Sequence, residues 1–158
     1  MMSAPAGAGW IGSSLGGAVG GANGSNPLVL AWLDCEENPV ISLRWSESYA
    51  FLGALHHPDG GPTVTILSKS GLTASGHQRF IYRCQNCTSW NGGKATLNLN
   101  GTTIFGHASH TTTKPSIPSD PSSGVAEHNL AGQHLLKIPE ARRASYWDVL
   151  DALRVSES

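Results

Sequence analysis

Residues 28–45 read LVLAWLDCEENPVISLRW, two apolar segments around a polar knot. Leu28 to Leu33 is a short unbroken apolar run, which suits a buried strand. Pro39 to Trp45 alternates, with Val40, Ser42 and Arg44 on one face and Ile41, Leu43 and Trp45 on the other. The turn from Asp34 to Asn38 makes the pair an antiparallel hairpin. Further along, Thr63 to Leu67 (TVTIL) and Gln78 to Arg83 (QRFIYR) predict two more strands. Ala95 to Leu99 and Thr102 to Phe105, joined through Asn100-Gly101, predict another hairpin, because Asn-Gly supplies positive φ cheaply. This spacing is that of an antiparallel β-sandwich. His110 to Gly124 carries Pro115, Pro118 and Pro121, which deny it both ladder and helix, so a long surface loop is expected. After Pro139 the period changes, and Ala141, Ala144, Trp147, Leu150, Leu153 and Arg154 predict one short C-terminal helix.

Composition agrees with an all-β class. The 158 residues include 19 Gly and 9 Pro, and only 13% are charged, about half the usual quarter. Ten Lys and Arg against eleven Asp and Glu leave a net charge of −1, with no basic segment to displace counterions from a polyphosphate, so nucleic acid is excluded as a partner. No run reaches the roughly 18 apolar residues of a membrane span. The first residues, MMSAPAGAGWIGSSLGGAVGG, lack the basic and unbroken apolar regions of a signal peptide. Residues 1–26 are a Gly, Ala and Ser-rich lead, either flexible or tightly turned, with regular structure expected from Leu28 and a domain over 27–155. Sequons at Asn23, Asn86 and Asn100 fit an exported glycoprotein.

Few residues recommend themselves for chemistry. The cluster Gly16 to Gly21 is not followed by Gly-Lys-Ser/Thr, so a turn is a better reading than a phosphate loop. Cys84 and Cys87 form a Cys-x-x-Cys, but a redox pair works at a helix N-terminus and the preceding residues are strand-like. A structural disulfide, with Cys35 free, fits better. Zinc on Cys84, Cys87, His107 and His110 is disfavoured, since His side chains three apart on an extended chain face opposite ways. His56 and His57 sit in a Gly-rich loop where solvent is their expected surrounding. No acid/base or nucleophile constellation is found, which argues against a hydrolase.

Three stretches together resemble the cytochrome, or iron reductase, domain of fungal cellobiose dehydrogenases. They are Gly9-Trp10-Ile11-Gly12 with Leu15-Gly16-Gly17-Ala18, then Leu28 to Trp32 with Arg44-Trp45 and Tyr49, and FIYRCQNCTSWNGG from Phe80 to Gly93. The most specific is Arg83-Cys84-Gln85 followed by Cys87-Thr88 and Trp90. The resemblance implies a secreted, antiparallel β-sandwich holding haem b. It further implies a Cys84–Cys87 disulfide, and electron transfer between a flavin dehydrogenase domain and a copper oxygenase or other acceptor. It also places Trp32 and Tyr49 at or near the haem pocket, although either residue equally suits a core.

The departures from the family pattern bear on function. Family members ligate haem iron through a Met and a His, a pair that leaves no axial site open and suits outer-sphere electron transfer. The Met position falls on Val19, and the only methionines are Met1 and Met2. Counting from Glu127-His128, the His position falls on Arg142, four residues before Tyr146. Neither side chain donates a lone pair to iron. The family's opening strands before Trp10 are not found in these residues, so the expected sandwich is incomplete, whether from a truncated gene model, a fragment or a fold that takes a partner strand. The expectation is a cytochrome-domain homologue in which haem is absent or weakly bound. The alternative is a haem-free binding module, with Trp10, Trp45 and Trp90 as candidate platforms for carbohydrate.

Overall fold

The computed structural model describes residues 1–17, 26–45, 53–54, 61–90, 93, 95–142 and 144–153. The strands are β1 (Met2–Pro5), β2 (Trp10–Leu15), β3 (Leu28–Leu33), β4 (Pro39–Trp45), β5 (Gly53–Ala54), β6 (Thr63–Ile66), β7 (Gly71–Leu72) and β8 (His77–Phe80). There follow β9 (Tyr82–Gln85), β10 (Ser89–Trp90), β11 (Ala95–Thr96), β12 (Thr102–His110) and β13 (Leu130–Lys137), then the helices α1 (Ile138–Ala141) and α2 (Tyr146–Leu153). The predicted β3–β4 hairpin forms, with Leu28 opposite Arg44 and Leu33 opposite Pro39. Its turn is tied by Asp34, whose Oδ1 accepts from the backbone N–H of Glu36 and of Asn38, each at 2.8 Å.

All paired strands run antiparallel. The main sheet has six strands in the order β13-β12-β2-β3-β4-β5, and smaller sheets β1-β8-β7 and β6-β9 lie against it. Between these layers Ile11, Ala31, Leu33 and Ile41 meet Ala4, Phe80 and Ile66. On the opposite face Trp10, Leu28, Leu30, Trp32, Val40 and Ala108 form a second cluster, against which pack Pro118 of the predicted proline-rich loop and Val125 just after it. Every residue of β3 is therefore buried, which is why it reads as one apolar run rather than an alternation.

Four features differ from the residue pattern. Regular structure begins before Leu28: the Gly, Ala and Ser-rich stretch holds β1 and β2, and β2 is central in the main sheet. Small side chains are required there, because a Cβ on Gly12 would collide with Leu30. Gln78–Arg83 is two strands, split at Ile81, with β8 joining β1 and β7 and β9 joining β6. The Asn100-Gly101 hairpin does not form. Asn98 to Gly101 turn, but β11 pairs with β10 while β12 pairs with β2 and with β13, a strand the weak alternation of LAGQHLLK conceals. Long ladders on both sides of β12 outweigh a local turn preference. The closing helix is two pieces separated at Arg142, and of α2 only Leu150 is buried while Trp147 remains 60% exposed. Among the described residues no helix is long and apolar enough to cross a membrane.

Candidate functional site

Two described segments near the implied ligand positions reach β12 or the turn before it, one through Gly17 and one through Arg142. After β2 the chain turns through Gly16 and Gly17, with φ of 86° and 125°, conformations that glycine adopts without strain. Gly17 crosses β12 so closely that a Cβ on Gly106 would strike its carbonyl oxygen. Val19 follows two residues later and lies outside the described residues, as do Tyr49, His56 and His57. Arg142 stands in the other segment, in extended backbone after α1. It is exposed, and its Nη2 donates to the Leu99 carbonyl at 2.9 Å. A guanidinium has donors only, so this side chain ties the end of α1 to the turn before β12 and offers nothing to a metal.

Trp32 is completely buried in the cluster beneath the proline-rich loop, and its Nε1 donates to Pro118 O at 2.6 Å. Its observed work is packing and holding that loop. Cys84 and Cys87 are joined and Cys35 is free and exposed. The disulfide end of β9 packs with Leu15, Trp90, Trp45 and Phe105. Bonded cysteines exclude the zinc reading, and no group of three or more metal-binding side chains exists among the described residues. The carbohydrate platform is also corrected. Trp10 is 2% and Trp90 4% exposed, and Trp45 packs against the Trp90 cluster, so none offers an open ring face for a sugar.

Two arrangements went unrecognised in the sequence. The first is Arg44, read there as part of an alternating strand and of the family resemblance, with no contacts assigned to it. It is 1% exposed, with Nε donating to Ser42 Oγ at 2.7 Å and Nη2 to the carbonyls of Pro121 and Ser123, each at 2.7 Å. Ser42 Oγ in turn donates to Pro121 O at 2.5 Å. Burial lowers the Arg44 pKa and the Asp120 carboxylate opposes that shift. Asp120 itself lies below the ordinary carboxyl range because Ser122 donates to it through Oγ and N, with Arg44 adding attraction. A charged residue opposite Leu28 signals such a latch only when its distant partners are known. The second arrangement is a pair of histidine rings on the β12–β13 ribbon: His107 and His134 stand 5.8 Å apart, centroid to centroid, with Phe105 stacked on His134 at 5.9 Å.

The antiparallel sandwich has the fold of a cytochrome b domain. More particularly, the chain belongs to the family of the cytochrome domain of cellobiose dehydrogenase, which matches residues 1–148. It is 46% identical over 142 residues to a pyrroloquinoline quinone-dependent pyranose dehydrogenase of Coprinopsis cinerea, a match spanning 90% of this chain and 18% of that protein. It thus corresponds to under a fifth of that relative's length. A crystal structure of the cytochrome b domain of pyranose dehydrogenase from the same fungus superposes with a TM-score of 0.83. That match has 45% identity and covers 96% of this chain and 72% of that one.

Proposed function

We propose that this chain keeps the sandwich of an electron-transfer cytochrome domain without the two-ligand haem iron of its family, and serves as a binding domain within a sugar-oxidising dehydrogenase system. The observation that carries this reading is Arg142, which stands where the resemblance puts the ligating His and is bonded to the Leu99 carbonyl. Val19 at the Met position agrees with it, since an isopropyl group cannot ligate iron. Met2 does not substitute, because it packs against the core of β1 and β8. The residues present do not fit a bis-ligated haem b, and no electron-transfer step is assigned to this chain. The pyranose dehydrogenase relative favours a quinone-dependent catalytic domain as partner, beside the flavin dehydrogenase or copper oxygenase implied by the family resemblance. The same kinship supports an extracellular setting.

Haem titration of the purified chain tests the proposal. The unaltered protein is expected to give no sharp α and β bands on reduction, whereas the double variant Val19→Met with Arg142→His is expected to produce them. A low-spin six-coordinate spectrum from the unaltered chain overturns the reading.

A further inference from the structure

Neither paired histidine is one of the residues at the implied haem-ligand positions, and neither belongs to the proline-rich loop. β12 and β13 pair with Phe105 opposite His134 and His107 opposite Gly132, so the three rings project from one face of the ribbon. His107 and His134 are diagonal neighbours, and both are exposed. Two details set the rings in place. A Cβ on Gly132 would stand 2.7 Å from His107 Cε1 and 2.8 Å from Nε2, so the glycine lets the His107 ring lean across β13. Phe105 stacks on His134 with only 20° between the planes, which restrains the second ring from its other side.

We propose that His107 and His134 form a two-histidine binding site for a borderline divalent transition-metal ion, Cu2+ above Ni2+ and Zn2+. Imidazole suits these ions, and their order follows the general affinity series. A metal–nitrogen bond of about 2.0–2.1 Å places each ring centroid about 3 Å from the ion, so two ligating rings stand up to about 6 Å apart. The observed centroid separation of 5.8 Å lies close to that upper limit, which corresponds to two imidazoles on opposite sides of a square-planar ion. No third His, Cys, Asp or Glu completes a cluster among the described residues, so the remaining positions fall to water or to an exchangeable outside ligand. The site differs from a closed structural metal centre in that respect.

The test is titration of the full, metal-free chain with Cu2+ against a chromophoric chelator, paired with electron paramagnetic resonance of the one-equivalent complex. The unaltered chain is expected to show hyperfine splitting from two imidazole nitrogens. His107→Ala and His134→Ala should each weaken the tightest site by at least ~10-fold, and the double variant should lose no more than either single one. Gly132→Ala should weaken it by roughly 10-fold through displacement of the His107 ring, the scale on which groups that orient a ligand act. His77→Ala, an exposed histidine away from the ribbon, should leave it unchanged. His107→Gln and His134→Gln repeat the measurement while keeping a polar side chain, should either alanine variant fail to fold. The proposal is overturned if substitution of His107 or of His134 leaves the tightest affinity within ~3-fold of the original, or costs no more than His77→Ala.

Discussion

The proline-rich loop lies over the main sheet and the β12–β13 ribbon forms one end of it, and the two are organised in opposite ways. Over β3 and β4 the loop is irregular, so its carbonyls need donors. The sheet supplies them through Trp32 and Arg44, which hold Pro118, Pro121 and Ser123. At the ribbon the backbone is satisfied by its own ladder, and the side chains of β13 remain largely at the surface, with Leu135 69% and Leu130 57% exposed. A segment lacking a ladder must recruit buried polar side chains to satisfy its backbone. A segment that has one leaves its side chains available for ligands.

Substitutions should separate the two regions sharply. Trp32→Ala removes both core volume and the donor to Pro118, and is expected to cost ~3–5 kcal/mol in urea unfolding. A cost below ~1 kcal/mol would show that the loop is held without it. Arg44→Met keeps much of the side-chain volume but leaves the carbonyls of Pro121 and Ser123 without this donor, for an expected cost of ~3 kcal/mol. Limited proteolysis should then cut within residues 111–129 faster than elsewhere. Resistance equal to the unaltered chain would contradict the latch.

Acid should loosen the same loop modestly. The folded pKa of Asp120 is depressed from the ordinary 3.8, so its stabilising contribution is complete above that value and disappears as pH falls through the lower folded pKa. Asp120→Asn should therefore be less stable than the unaltered chain near neutrality and converge with it in strong acid. Parallel stability curves down to pH 2 would break this link between Asp120 and the latch. The smallest effect belongs to the ribbon, where Leu135→Ser should change stability by less than ~0.5 kcal/mol. A larger loss would mean that this surface is covered in solution.

The contrast also explains which features were legible beforehand. The β3–β4 hairpin was readable because its turn chemistry and apolar run agree locally. The disulfide and kinship were readable because the Cys84 to Trp90 motif is specific. β2 was hidden because Gly12 and Ser14 are small for packing reasons set by Leu30 and Leu28, across a ladder that the local sequence does not announce. Arg44 was hidden because Ser123, which receives one of its hydrogen bonds, lies 79 residues away.

By itself, then, the amino-acid sequence determined the all-β class and the family, and it is the source of the proposed assignment of Val19 and Arg142 to the haem-ligand positions. These rest on local periodicity, a dense motif and side-chain chemistry, none of which needs the fold to be known. Tertiary structure alone decided that β12 abandons the Asn-Gly hairpin for longer ladders, and that an arginine is buried beneath a loop. It also decided that Gly132 and Phe105 bring two histidines together. Each depends on which distant backbone satisfies which donor, a competition settled by the total of paired groups and buried surface rather than by any residue's immediate neighbours.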